Sequence, residues 1–296
     1  MPELPEVECI RLCLQTCCSG ASVRLHTLQR SDIVGSLRSP RGCRLKRNPK
    51  PPPVSLLDCS VLASFERKGK QLSINTTDGR TLVVRLGMSG QLLLVNSFDP
   101  ITTHVHASWR LDSKAGARFL LFRDPRRFGS IIPCASIAER DAHWNRLGPD
   151  ALTVTEEELV DAFSNRSVEL KSFLLNQACV SGLGNIYVDE ALFLSRLHPK
   201  LSVKNLTKNQ IVILASSIRK ILRIAITAGG TTLRDYCLPN GTPGSFQTKH
   251  KVYGRAGLLC TICKSVLLGA TIAGRTSCYC AVCQNIESNS SVCTVR

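Results

Sequence analysis

The sequence predicts a multidomain α+β fold: an N-terminal β-sandwich with a flanking helix, a central helical region and a C-terminal cysteine-bearing hairpin. Three observations predict it. Helical periodicity at the start gives way to a long series of short β-rich runs. A capping box at Thr155 and Glu158 then opens a stretch of helical pattern. Two Cys-x-x-Cys pairs close the chain.

Residues 5–18 read as the first helix, with Val7, Ile10, Leu14 and Cys18 at helical spacing. Val54-Ser-Leu-Leu, Val61 to Phe65, Gln71 to Ile74, Thr81 to Leu86, Phe119 to Phe122 and Ser130 to Ile132 read as strands. Asp78-Gly79 marks a hairpin turn between two of them. The domain at 2–135 is followed by a linker at 136–150 and helical segments at 168–178, 186–196 and 207–228. Gly229-Gly230 ends the last helix, and 231–250 forms a long loop of the kind that usually carries function. The module at 251–284 holds the cysteine pairs, and 285–296 reads as a disordered tail.

The net charge of +16, from 38 basic and 22 acidic residues, points to a polyanionic partner, nucleic acid before membrane. The basic residues cluster. Arg24, Arg30, Arg38, Arg41, Arg44, Lys46, Arg47 and Lys50 share their interval with one acid, Asp32. No run of about 18 apolar residues suggests a membrane span. No secretory signal is visible, so the 15 cysteines read as reduced thiols and metal ligands of a cytoplasmic protein.

Four features carry chemistry. Removal of Met1 from Met1-Pro2-Glu3-Leu4-Pro5-Glu6 would free a secondary amine with a pKa near ~8, nucleophilic at neutral pH. Retention of Met1 would make Pro2 an unreactive amide. Cys260, Cys263, Cys280 and Cys283 have the spacing of a closed, structural Zn²⁺ site, with Cys278 beside them as either a competing ligand or, the favoured reading, a packed hairpin residue. Gly182, Gly184 and Asn185 lie before a helix, where backbone amides can bind phosphate. Met88, in a Gly-rich turn, and Phe128, in Asp124-Pro-Arg-Arg-Phe-Gly129, are candidate apolar wedges into a base stack.

Together PELPEVE, the segment at 67–70, LGMSG, DPRRFG, GLGNIY, GGTTLRDY, VYGR and the cysteine pairs resemble, in order, the bacterial formamidopyrimidine-DNA glycosylase family. The resemblance covers nearly the whole chain. It implies a helix-two-turns-helix domain at 151–230 and a lesion-capping loop within 231–250. It implies Pro2 as nucleophile, Glu3 as the acid that helps open the sugar ring, and Glu6 as its structural neighbour. Lys70 and Arg275 would assist elimination. Met88, Arg126 and Phe128 would fill the gap left by a flipped nucleotide. His104, Arg126, Arg166, Lys171 and Asn185 would contact DNA. Arg85 stands where many members carry a phosphate-contacting histidine.

The implied activity is excision of oxidised purines from damaged double-stranded DNA by a zinc-bearing monomer, followed by β- and δ-elimination at the abasic site. Two alternatives stand beside it: an endonuclease VIII-like enzyme for oxidised pyrimidines, and a non-catalytic zinc DNA-binding protein. Leu4 and the full 231–240 loop favour the purine branch, and retention of Pro2 and Glu3 argues against mere binding.

Overall fold

The computed structural model describes residues 2–35, 51–99, 102–114, 116–164 and 166–286. The basic residues Arg38 to Lys50, the end of the tail at 287–296 and Met1 lie outside the described residues. The chain forms two compact units, Met1–Arg146 with Ala228–Ser245, and Leu147–Thr227 with Phe246–Arg296.

The first unit begins with α1 (Leu4–Cys18), where Pro5 fits the first turn because no hydrogen-bond partner is needed there. Val7, Ile10, Leu14 and Cys18 are all buried, so one stripe of the helix enters the core. Among the described residues eight strands follow: β1 (Ser22–Leu28), β2 (Ser60–Lys68), β3 (Gln71–Thr76), β4 (Thr81–Arg85), β5 (Gln91–Val95), β6 (Val105–Ser113), β7 (Gly116–Arg123) and β8 (Ser130–Cys134). Their order is β5-β7-β6-β1-β2-β3-β4-β8. β1 and β2 pair only at Ser22↔Val61 and Val23↔Ser60. That short seam lets the sheet fold into two four-stranded layers. Trp109, Leu120 and Phe122 from one layer share a core with Phe65, Leu72 and Leu82 from the other, and with Val7, Ile10 and Leu14 of α1. Each such burial contributes roughly 1.5–3 kcal/mol. This is the expected sandwich with its flanking helix.

Two local expectations change. Val54 to Leu57 is no strand: Pro53–Leu56 forms a 3₁₀ turn. Pro53 presets the turn, and Leu56 presents its carbonyl to Trp109 Nε1 at 2.8 Å. The interval expected as linker contains α2 (Ile137–Trp144), capped by Ser136 accepting from the Glu139 amide. Its buried face is Arg140, His143 and Trp144, too polar to read as an apolar stripe.

The second unit contains α3 (Glu156–Phe163), α4 (Leu170–Leu175), α5 (Asn185–Leu194) and α6 (Lys208–Thr227). Thr155 and Glu158 close the capping box reciprocally, at 3.2 and 2.9 Å. The turn after α4 is pinned by Gln177, whose Oε1 accepts from the Gly182 amide and whose Nε2 donates to the Leu183 carbonyl. β9 (Leu268–Ile272) and β10 (Arg275–Tyr279) form the terminal hairpin. Ala273 and Gly274 at its tip both have positive φ, as a tight hairpin turn requires. Among the described residues no helix is long and apolar enough to cross a membrane.

Candidate active site

Pro2 is buried where α1 begins, and the carboxylates of Glu3 and Glu6 are only 2% and 1% exposed. Buried carboxylates need donors. Glu6 and Glu3 close a capping box at the helix start. Glu6 Oε2 accepts the Glu3 amide at 2.8 Å and Oε1 accepts the Thr231 amide at 2.7 Å. Gly229 and Gly230 reach this position with φ of +75° and +83°. A Cβ on Gly230 would lie 3.0 Å from Glu6 Oε1, so glycine permits the close approach. The 228–245 segment is thereby tied to the chain's first turn.

Lys70 sits half-buried after Gly69, in the turn between β2 and β3. Arg67, just before it, bonds Glu8 of α1 at 2.8 Å. Burial pushes the Glu8 carboxyl up, but hydrogen bonds from Arg11 and Arg67 outweigh it and hold it below its ordinary value. The helix carrying Pro2 and the turn carrying Lys70 are thus braced by one ion pair.

Met88 and Phe128 are 40% and 55% exposed, high for large apolar side chains. Their two turns lie against each other: a Cβ on Gly87 would meet the Phe128 carbonyl carbon at 2.5 Å. Asp124, fully buried, holds both turns by accepting from Ser89 Oγ (2.6 Å) and the Gly129 amide (2.7 Å). The exposed Arg126 guanidinium stands 5.1 Å over the Phe128 ring. The structure therefore brings Met88, Arg126 and Phe128 together. His104, also exposed, lies at the start of the next turn, its carbonyl accepting from the Asp124 amide.

Arg85 behaves differently from a solvent-facing phosphate contact. It is half-buried at the end of β4, with Nη2 2.8 Å from Nε2 of His143. Burial lowers its pKa, and among the described residues no carboxylate is paired with it. Burial, then the charges of Arg85 and Arg146, push His143 down to about 4.

In the second unit Asn185 opens α5, with Gly184 before it supplying no capping side chain. Asn185 Nδ2 donates to the Thr276 carbonyl at 2.8 Å, next to the exposed Arg275 at the hairpin tip. The structure thus ties Asn185, an expected DNA contact, to the hairpin that carries Arg275, an expected participant in elimination. Arg166 is exposed, but its Nη1 reaches Cys179 Sγ at 3.0 Å and its guanidinium covers Phe173. Lys171 departs from expectation. It is completely buried, with Nζ 2.6 Å from Asp189 Oδ1. A direct contact with DNA is closed to it in this conformation.

The four candidate metal ligands come together. The Sγ atoms of Cys260, Cys263, Cys280 and Cys283 all lie within 4.8 Å of one another. Cys263 and Cys280 are 3.4 Å apart, and Cys260 and Cys283 are 3.9 Å apart. Tetrahedral Zn²⁺–thiolate bonds of ~2.3 Å would set the sulfurs about 3.8 Å apart, so the cluster fits such an ion. The Ile262 and Cys283 amides point at Cys260 and Cys280 Sγ, as donors to thiolate do. Cys278 is buried outside the cluster, its amide bonded to Asp189. The cluster can therefore bind one metal ion with four sulfurs and no open position, a structural arrangement.

Several organising residues escaped the sequence reading. Glu190 accepts the amides of Lys251, Val252 and Tyr253 within about 3.0 Å and fixes the chain entering the cysteine module. Asp189 bridges Lys171 and β10. Tyr236 donates to the Gly229 carbonyl at 3.0 Å. The signal available for the first two was a pair of acids on an otherwise apolar helix.

Comparison with known proteins matches these parts in order. The model described as "Formamidopyrimidine-DNA glycosylase N-terminal domain" matches residues 1–131, and "Formamidopyrimidine-DNA glycosylase H2TH domain" matches 147–237. Formamidopyrimidine-DNA glycosylases of Teredinibacter turnerae and Stenotrophomonas maltophilia are 37% and 38% identical, over 96% of this chain and 100% of each relative. A solved complex of Lactococcus lactis Fpg with DNA containing an abasic site superposes with TM-score 0.82 at 28% identity, covering 96% of this chain and all of that one. Thermus thermophilus MutM (Fpg) gives 0.79 at 33% identity, covering 96% and 98%. With both domain models in sequence order and full-length relatives above one-third identity, the chain belongs to the formamidopyrimidine-DNA glycosylase family.

Proposed function

We propose that this protein is a DNA glycosylase and abasic-site lyase that removes oxidised purines from duplex DNA in base-excision repair. The observation that carries the reading is Pro2 buried beside Glu3 and Glu6, at the head of α1, in a member of this family. The Pro2 nitrogen, once the terminal amine is free, attacks C1′ of the damaged nucleotide. The N-glycosidic bond breaks and the base leaves with a proton. Glu3 supplies the proton that opens the sugar ring, giving an iminium between Pro2 and C1′. Loss of the C2′ proton expels the 3′ phosphate, and loss of the C4′ proton expels the 5′ phosphate. Lys70 and Arg275 assist these eliminations.

Met88, Arg126 and Phe128 fill the gap left by the extruded nucleotide, which is why two large apolar side chains stand in solvent on rigid turns. His104, Arg166 and Asn185 grip phosphates, and Arg85 adds a cation held by His143. The 231–240 loop closes over the flipped base. Cys260, Cys263, Cys280 and Cys283 would hold a Zn²⁺ ion, which would fix the hairpin that carries Arg275. The test is cleavage of duplexes carrying 8-oxoguanine opposite cytosine against duplexes carrying thymine glycol. Preference for the first supports this reading, and preference for the second replaces it with a pyrimidine-directed enzyme.

A further inference from the structure

Arg85 and Gln71 face each other across β4 and β3, and α2 brings His143 and Trp144 against that pair. His143 Nε2 lies 2.8 Å from Arg85 Nη2 and 3.1 Å from Gln71 Oε1, and Trp144 Nε1 donates to the same Gln71 oxygen at 3.2 Å. Gln71, His143 and Trp144 are buried, whereas Arg85 keeps part of its surface in solvent. Arg140, on the same helix, shows the ordinary way to hold a buried guanidinium: it pairs with Glu66 at 3.0 Å and with Asp141 at 2.7 Å. Arg85 has no such carboxylate among the described residues. Its Nε and His143 Nδ1 are both buried without a hydrogen-bond partner among the described residues. Two orphaned polar atoms and an unpaired cation cost stability, and a well-packed apolar pair would be more stable here. The arrangement therefore answers to something other than folding, and the charge it lacks is negative.

We propose that His143 is a positioning residue, a role that rests on the DNA-repair reading above: it accepts from Arg85 and holds the guanidinium ready for a DNA phosphate, while Gln71 and Trp144 hold the ring. Burial and the two cations facing the ring, Arg85 and Arg146, keep it neutral at neutral pH. A guanidinium only donates, so the ring nitrogen facing it must accept. Gln71 Oε1 already accepts the indole N–H, and a hydrogen bond from a charged donor is the stronger one. The ring therefore carries its one proton on Nδ1. Arg85 has donors to spare: one Nη2 hydrogen goes to His143, and others remain for a phosphate oxygen. Locking one edge of the guanidinium removes side-chain freedom before DNA arrives, so less is lost on binding. Gln71 directly follows Lys70, so the same cluster adjoins the turn that carries that lysine.

The test measures binding of the full-length protein to a duplex carrying a tetrahydrofuran abasic analogue, over a range of salt. His143 is neutral, so replacing it removes no charge. Arg85→Gln is expected to lower the log–log salt slope by about 0.9, the value for one phosphate contact. His143→Leu is expected to give the same drop, and His143→Gln, which still accepts from Arg85, to restore the slope. The double variant Arg85→Gln with His143→Leu is expected to fall no further than Arg85→Gln alone. A wild-type slope in His143→Leu or in Arg85→Gln overturns the proposal, as does a full further drop in the double variant. A second readout uses the unaltered protein. Its ¹⁵N-histidine spectra, with His143 identified by its loss in His143→Gln, are expected to show Nε2 unprotonated at neutral pH. A proton on Nε2 overturns the proposal, because the ring then donates to Gln71 and does not hold Arg85. Neither readout involves base excision, so a protein that binds in this way yet excises neither lesion refutes the glycosylase reading and leaves the positioning role standing.

Discussion

Glu6 holds the Thr231 amide on one carboxylate oxygen and the Glu3 amide on the other, at 2.7 and 2.8 Å. A single buried side chain therefore couples the first residues of the chain to a loop more than two hundred residues away. Glu6→Gln keeps the shape but turns an NH₂ group toward one of the two amides. Its expected cost is about 1–3 kcal/mol of stability. Misplacing Pro2 by even 1 Å is expected to slow excision roughly a hundredfold. Thermal unfolding and single-turnover cleavage of an 8-oxoguanine duplex measure the two effects.

His143 makes acid stability a specific expectation. Its folded pKa of about 4 lies below the unfolded value near 6.5. The unfolded chain binds the extra proton first, so stability is full above pH 6.5 and falls as pH drops toward 4. By pH 5 the loss from this group is roughly 2 kcal/mol. His143→Gln should flatten that limb of the unfolding free-energy profile between pH 6.5 and 5. An unchanged slope in urea titrations would remove His143 as the cause.

The family resemblance places Lys171 among the DNA contacts, yet it is sealed against Asp189, whose carboxyl burial pushes up to about 6 despite the ammonium beside it. A phosphate-contacting lysine contributes about 0.9 to the log–log salt slope of DNA binding. Lys171→Met should leave that slope intact and instead cost roughly 3–5 kcal/mol, by stranding a buried carboxylate. A shallower slope with unchanged stability would restore the contact role.

Metal removal should act locally. With Cys260→Ser, or under a strong chelator, the hairpin bearing Arg275 should loosen and DNA affinity should fall. The core of the first unit contains no cluster cysteine, so its strand signal in circular dichroism should persist. Global unfolding on chelation would contradict the division into separate units.

Most of the fold was legible because its signals were local. The spacing of Val7, Ile10 and Leu14 gave α1, the Thr155–Glu158 pair gave the start of α3, and Asp78-Gly79 gave the β3–β4 turn. What failed was decided by tertiary contacts. Val54 to Leu57 has strand composition, but the prolines before it and the indole of Trp109 select a turn. α2 buries an arginine, a histidine and a tryptophan, which no apolar periodicity reveals. The four zinc-type ligands were legible from spacing alone, whereas Asp124, Asp189 and Glu190 act through amides whose positions only the folded chain defines.

The measurement that bears most directly on the catalytic claim is borohydride reduction of the protein on an 8-oxoguanine duplex, with the adduct mapped by mass spectrometry. The account predicts one trapped deoxyribose remnant on the nitrogen of Pro2, with the mature chain starting at that residue. No trapped species, or a remnant mapped to Lys70 on a chain that retains Met1 and cleaves normally, would contradict it.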